Sequence, residues 1–299
     1  MELSETIHRL GGLATRGELV ERASWREIAA AVEAGSIVRL RRGHYGLAGQ
    51  LKAERASASL NAVISHESAA LHWGWRVKEP PEQPIVTVPR RRKVHPARCM
   101  YVDVRHADLR ADQVVDGYSD PVTTVIDCAR ALPFDAALAV ADSALRSGQV
   151  TRAELAAAAE ASPRTGRAKA LRVARTADGR AANPFESVVR AIADGVPKLV
   201  LEPQVQIAPG QTPDLVDRRL RIVVECDSWT FHAEKGAFQR DIERYNEFAL
   251  DGWLLIRIGW EHAMRRPEYV LKILQRAVVC AEGRQLAAGA TTIEREEGQ

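Results

Sequence analysis

Thr212-Pro213-Asp214-Leu215-Val216 and, shortly after it, Arg221-Ile222-Val223-Val224-Glu225-Cys226-Asp227 read as two neighbouring β-strands. The consecutive apolar residues Ile222, Val223 and Val224 place the second strand inside a core, and a buried strand that ends in Glu-x-Asp is an unusual use of charge. Residues two apart on a strand point the same way. Glu225 and Asp227 therefore share a face, which Asp214 can join from the adjacent strand. Carboxyl groups crowded in this way repel and raise one another's pKa unless a divalent cation sits among them. Magnesium suits the role, with manganese as a substitute, because it takes oxygen ligands and keeps coordinated waters. Beside a phosphodiester it would polarise the phosphate, generate hydroxide from a bound water and neutralise the leaving oxygen.

Outward from these strands the pattern stays regular. Asn183-Pro184-Phe185-Glu186 opens a helix, with Asn as N-cap and Pro in the first turn. Strands are expected at 204–207, 212–216 and 220–227, a helix at about 236–251, a buried strand at 253–258 and a last helix from Pro267 to about Cys280. The order is α-β-β-β-α-β-α.

Asn183-Pro184-Phe185-Glu186, Pro213-Asp214, Glu225-Cys226-Asp227-Ser228, His232, Arg240-Asp241 with Arg244, and Gly252-Trp253 before Arg257-Ile258 together resemble the PD-(D/E)XK nuclease superfamily, and within it the very-short-patch-repair (Vsr-like) endonucleases. The resemblance spans about residues 180–280. It implies a restriction-endonuclease-like αβββαβ core with a mixed sheet, metal ligands at Asp214 and Glu225 with Asp227 beside them, support from Glu186, proton transfer by His232 and phosphate contact by Arg240 and Arg244. Two positions depart from the pattern: Asp227 stands where the superfamily usually has Lys, and Ser228 where this branch often has Gly. Plainer roles stand beside the implied ones. Glu186 lies three after Asn183 and equally closes a capping box. His232 is also readable as a surface loop residue, Asp241 with Arg244 as an i,i+3 ion pair, and Trp229 and Phe231 as sheet cover rather than a DNA wedge.

The first fifty residues read as a winged helix-turn-helix. A short helix ends at Gly11-Gly12, and capping boxes at Thr15-Arg16-Gly17-Glu18 and Ser24-Trp25-Arg26-Glu27 start two more. On the third helix Trp25, Ile28, Ala29 and Val32 form an apolar stripe, with Arg26 facing outward. Two short strands follow, joined by Arg41-Arg42-Gly43-His44. Such a module lays its third helix in the major groove, so Arg26, Arg39, Arg41 and Arg42 are candidate DNA contacts; packing against protein is the alternative. Gly11-Gly12-Leu13-Ala14-Thr15, the third helix and Leu40-Arg41-Arg42-Gly43-His44-Tyr45 resemble the N-terminal domain of AbiEi-type antitoxins over residues 3–50.

Residues 51–179 read as an α+β connector, with helices at 122–131, 135–145 and 152–161. His66 and His72 are six apart, on different helical faces, which favours structural roles over metal binding. Arg90-Arg91-Arg92-Lys93 offers either phosphate contacts or a solvated basic face.

Composition constrains the rest. With Lys+Arg 42 against Asp+Glu 39, the net charge of +3 leaves any nucleic-acid signal to local clusters. Four dispersed cysteines give neither a zinc motif nor a disulfide framework, and no apolar run reaches the ~18 residues of a membrane span, so a cytoplasmic protein is expected. The domain division is 1–50, 51–179, 180–283 and a flexible tail, 284–299. The expected function is magnesium-dependent DNA cleavage in repair or phage defence, with DNA as partner and a homodimer able to cut both strands. The alternative is an antitoxin-type DNA-binding transcriptional regulator that keeps the nuclease fold as a weakly active or inactive scaffold.

Overall fold

Local capping chemistry sets the start of the chain. α1 (Leu3–Arg9), β1 (Leu13–Thr15), α2 (Arg16–Val20), α3 (Trp25–Glu33), β2 (Ile37–Arg41) and β3 (His44–Leu47) follow in order, and both expected capping boxes, Thr15 with Glu18 and Ser24 with Glu27, are formed. These belong to a computed structural model describing residues 2–227 and 235–296, apart from the side chains of Arg41, Gln50, Leu51, Arg98, 235–241 and 287–296. β1 is absent from the sequence reading. It follows two glycines at positive φ, pairs antiparallel with β3 and completes a sheet of order β1-β3-β2. Ile7, Leu19, Ile28, Ile37 and Tyr45 fill the core beneath it. Trp25 corrects the expected apolar stripe: it begins the helix, is 51% exposed and has the Arg16 guanidinium 4.8 Å from its ring, while Ile28 is buried in the core and Val32 packs against it.

α4 (Gly49–Leu60) crosses the expected division at 50/51. Its Ala53, Ala56 and Leu60 pack with Ile64, Ala69, Val86 and Tyr118, so the helix belongs to the middle layer. β4 (Val63–Ile64), α5 (His66–His72), β5 (Ile85–Val88), β6 (Asp103–His106), β7 (Val114–Val115) and β8 (Tyr118–Ser119) follow, giving a sheet of order β6-β5-β4-β8-β7. Four helices complete this part: α6 (Pro121–Ala131), α7 (Phe134–Ser147), α8 (Arg152–Ala161) and α9 (Arg164–Thr176). The first three occupy the expected Ala-rich spans; α9, beyond Pro163, was not expected.

The chain divides into two compact units, 1–179 and 180–299. In the second, α10 (Pro184–Ala193) is followed by β9 (Glu202–Pro203), β10 (Leu215–Asp217), β11 (Ile222–Asp227), α11 (Lys235–Leu250), β12 (Leu254–Gly259), α12 (Trp260–Arg265) and α13 (Pro267–Glu296). The sheet order is β12-β11-β10-β9, with β11 and β12 parallel and the other pairs antiparallel. β12 lies at the sheet edge and is only half-buried, where a buried strand was expected. One sheet face is covered by α10, α12 and α13 through a core that includes Val188, Leu215, Ile222, Val224 and Leu274. The other face carries Val216 and Val223 against Phe248 of α11. α13 runs sixteen residues beyond Cys280, where the last helix was expected to end, in a proline-free segment rich in Ala, Glu and Arg, with Gln285 bonded to the Arg219 carbonyl at 2.7 Å. Among the described residues the chain is thus a mixed α/β protein of 13 helices and three sheets, and no helix is long and apolar enough to cross a membrane.

Asp217, at the β10–β11 turn, is buried and accepts from Val200 N and Leu220 N, each at 2.9 Å. Asp217→Ala leaves two backbone donors unpaired and is expected to cost about 1–3 kcal/mol, read as a lower urea midpoint with an unchanged slope.

Candidate functional site

The alternation of β11 places its acids. Ile222 and Val224 enter the core under α10 and α13, whereas Val223 faces α11, so Glu225 and Asp227 share the α11 face. The antiparallel register pairs Leu215 with Val224 and Val216 with Val223, which brings Asp214, one residue ahead of β10, opposite Glu225. Asp214 Oδ2 accepts from Cys226 N at 2.8 Å. Glu225 is 3% exposed; its Oε2 accepts from Arg244 of α11 at 3.2 Å, and its Oε1 is buried with no hydrogen-bond partner among the described residues.

Burial is the main cause that pushes the Glu225 carboxyl up to about 8, with the Asp214 charge adding and the Arg244 guanidinium opposing. Burial also raises Asp214, against the hydrogen bond from Cys226 N and the Arg244 charge. A carboxyl raised in this way holds its extra proton only in the folded chain. Metal-free stability from Glu225 is therefore complete below the ordinary value of 4.5 and is lost as pH rises through about 8. Glu225→Gln removes this loss: in chelator, the urea midpoint of the wild type should fall more between pH 5 and pH 8.5 than that of the variant.

The other expected residues divide. Asp227 turns to the β12 residue Arg257, whose Nε donates to Oδ2 at 2.7 Å, and not to the Asp214–Glu225 pair. Parallel pairing sets Arg257 beside Glu225, and the guanidinium reaches the outermost acid of β11. Glu186, almost fully buried, accepts from Ala182 N and Asn183 Nδ2, each at 2.8 Å, while Asn183 Oδ1 accepts from Glu186 N. Asn183 thus caps the helix, while the Glu186 carboxylate takes Ala182 N and the Asn183 amide in place of the Asn183 N–H of a capping box, and one further contact ties Glu186 to the acidic pair. Gln204 Nε2 lies 3.3 Å from both Glu186 Oε2 and Asp214 Oδ1.

The strand expected at 204–207 does not form. β9 ends at Pro203, and Gln204 adopts a left-handed φ of 53° while its N–H bonds to the Asp214 carbonyl. No local motif announces such a bridge. Among the described residues no group of three or more His, Cys, Asp or Glu forms a metal cluster, and Asp214 and Glu225 stand as a pair. Two carboxyl groups side by side supply oxygen ligands of the kind a hard divalent cation takes, and among the described residues Glu225 Oε1 is buried with no donor.

No family model matches the chain. It is 31% identical over 152 residues to two uncharacterized proteins of Mycobacterium tuberculosis, MT2308 and Rv2248, a match covering 49% of this chain and 56% of each relative. The chain thus spans little more than half the length of these relatives. A crystal structure of the RV2827C protein from Mycobacterium tuberculosis is 13% identical with a TM-score of 0.32, over 62% of this chain and 78% of that one, a likeness too slight to carry fold or function.

Of the expected basic contacts, Arg26, Arg39, Arg42, Arg90, Arg91 and Lys93 are exposed. Arg92 corrects the expectation that the whole run is free for phosphate: its guanidinium donates to the carbonyls of Leu60 at 2.9 Å and Asn61 at 2.7 Å, closing the C-terminus of α4. The side chains of Arg41, Arg240 and Asp241 lie outside the described residues, as do Ser228, Trp229, Phe231 and His232 altogether. His66 is buried, bonded through Nδ1 to Ser65 Oγ at 2.9 Å and pushed down to about 4 by burial.

Proposed function

We propose that residues 180–283 form a Vsr-like nuclease domain of the PD-(D/E)XK type that hydrolyses DNA phosphodiester bonds with a bound magnesium or manganese ion. The observation that carries this reading is the buried Asp214–Glu225 pair with its unpartnered Glu225 Oε1. The mixed sheet, with β12 parallel to β11 after the α11 crossover, supports the endonuclease-like core.

Asp214 and Glu225 would hold the ion, which when bound supplies Lewis-acid activation of the phosphate and a bound hydroxide. Glu225 gives up its proton on binding, since a carboxyl held near 8 is largely neutral at pH 7. Gln204 fixes Asp214 to Glu186 and so holds the carboxylate in place. Arg244, partly exposed on α11 and bound to Glu225, is placed to turn towards a phosphate once Glu225 is otherwise neutralised. His232 is proposed, on the resemblance alone, as the proton-transfer group, and Asp227 with Arg257 takes the position of the usual lysine.

Residues 1–47, with three helices and the sheet β1-β3-β2, are proposed as a winged helix that presents Arg26, Arg39, Arg41 and Arg42 to DNA, on the pattern of AbiEi-type antitoxins. A cytoplasmic homodimer would let two such centres cut both strands. One observation favours a second reading, an antitoxin-type regulator with an inactive nuclease scaffold: Arg244 already satisfies half of the Glu225 carboxylate. Incubation with supercoiled plasmid and with a labelled single strand, in magnesium, manganese or chelator, separates the two. Cleavage that requires metal supports the nuclease; a gel shift of DNA with no cleavage under any metal supports the regulator.

A further inference from the structure

Unit 1–179 holds a cavity of about 550 Å³ between the sheet β1-β3-β2 and the elements α4, α5 and β8, remote in sequence from the acidic pair. One wall is aromatic and fixed. The His72 ring stacks on Tyr118 at 3.5 Å with an interplanar angle of 12°, and Trp73 stands edge-on to His72 at 5.0 Å. Trp73 is pinned by its Nε1–H, which donates to the Ser119 carbonyl at 3.0 Å, and by Gln149, which donates to its carbonyl. Tyr118 OH donates to Glu54 Oε1 at 3.0 Å, which orients a carboxylate at the edge of this wall. β2 also lines the cavity, and there the Arg39 side chain is exposed and forms no hydrogen bond or ion pair with any described residue. Other polar groups of the lining are engaged: Thr15 with Glu18, and Arg76 with both carboxylate oxygens of Glu18.

A cluster of three aromatic rings, with Tyr118 stacked on His72 and Trp73 edge-on to both, a carboxylate bonded to the Tyr118 hydroxyl and an unengaged guanidinium line the same cavity, and together they suit a ring that carries an exocyclic amine and an anion. We infer that this cavity binds a nucleotide, with its base against His72, Trp73 and Tyr118, its exocyclic amine donated to Glu54 and its phosphate on Arg39. The volume is ample for a single nucleotide. The Arg76 guanidinium, which lines the cavity, is held by the Glu18 carboxylate of α2. This site goes beyond the nuclease reading and stands if that reading fails.

The shared chemistry has two sources, a free nucleotide or one nucleotide of a single strand. Calorimetry of the full chain in chelator, titrated separately with adenosine monophosphate and with a short deoxyadenosine oligonucleotide, distinguishes them. Saturable binding of the mononucleotide assigns a free ligand; binding of the oligonucleotide alone assigns a strand. In either arm Arg39→Ala and Glu54→Gln should each weaken binding about tenfold. Both side chains are exposed, and unchanged circular dichroism will verify that the variants fold. Glu54→Gln is the decisive variant. General attraction of nucleic acid to basic residues would strengthen when a carboxylate is neutralised, whereas the inferred contact weakens. Binding in neither arm, or affinity unchanged or increased in Glu54→Gln, overturns the inference.

Discussion

Asp214→Ala and Glu225→Ala are each expected to lower metal-dependent plasmid cleavage by about a thousandfold or more, the rate equivalent of losing several kcal/mol of transition-state stabilisation at a metal-activated phosphate. Neither change should unfold the protein. Among the described residues Glu225 is held by Arg244, and its Oε1 is buried without a hydrogen-bond partner, so truncation of the side chain gives up little that holds the fold. Asp214→Ala leaves the Cys226 N–H without its acceptor and should lower the urea midpoint, whereas Glu225→Ala should stay close to the wild type at neutral pH, so cleavage lost in Glu225→Ala at a near-equal midpoint places the effect on chemistry. The isosteric Glu225→Gln should abolish cleavage as well, because it keeps the shape and removes the anion.

Phe248→Ala is expected to produce the largest loss of stability, about 3–5 kcal/mol. Phe248 is fully buried between α11 and the sheet, among Val205, Val216 and Val223, with Tyr245, Trp253 and Leu255 packed around it. It lies one helical turn from Arg244, so the cavity left by truncation loosens the helix that brings the guanidinium to Glu225. Activity and stability should fall together, in contrast to the acid variants. Leu250→Ala, two residues on and 82% exposed, serves as the control and should change stability by no more than about 0.5 kcal/mol. Urea denaturation of both variants measures the difference.

The parts of the fold that were legible are those whose signals are local. The run Ile222-Val223-Val224 marks β11, the caps at Thr15, Ser24 and Asn183 mark helix starts, and Ile85-Val86-Thr87-Val88 marks β5. Placing Asp214 and Glu225 on one face needed no more than strand alternation. What was missed depends on distant partners. β1 is three residues long and exists because β3 pairs with it; α4 buries chiefly alanines, which leave little periodic contrast with its serines. Trp25 at the start of α3 looks apolar in sequence, but its neighbour in space is a guanidinium. Gln204 is the most consequential omission. Its bridge between Glu186 and Asp214 arises where β9 stops and the chain takes a left-handed turn, a feature that spacing along the sequence does not encode.

The central claim is that Asp214 and Glu225 together hold a divalent cation, and titration calorimetry of manganese into the nucleic-acid-free protein tests it most directly. Repeating the titration in buffers of different ionisation enthalpy reports protons released, and one is expected because Glu225 sits near 8 before binding. The expected result is saturable binding with proton release in the wild type, lost in both Asp214→Ala and Glu225→Ala. No binding at millimolar manganese, or binding that persists in both variants, would contradict it.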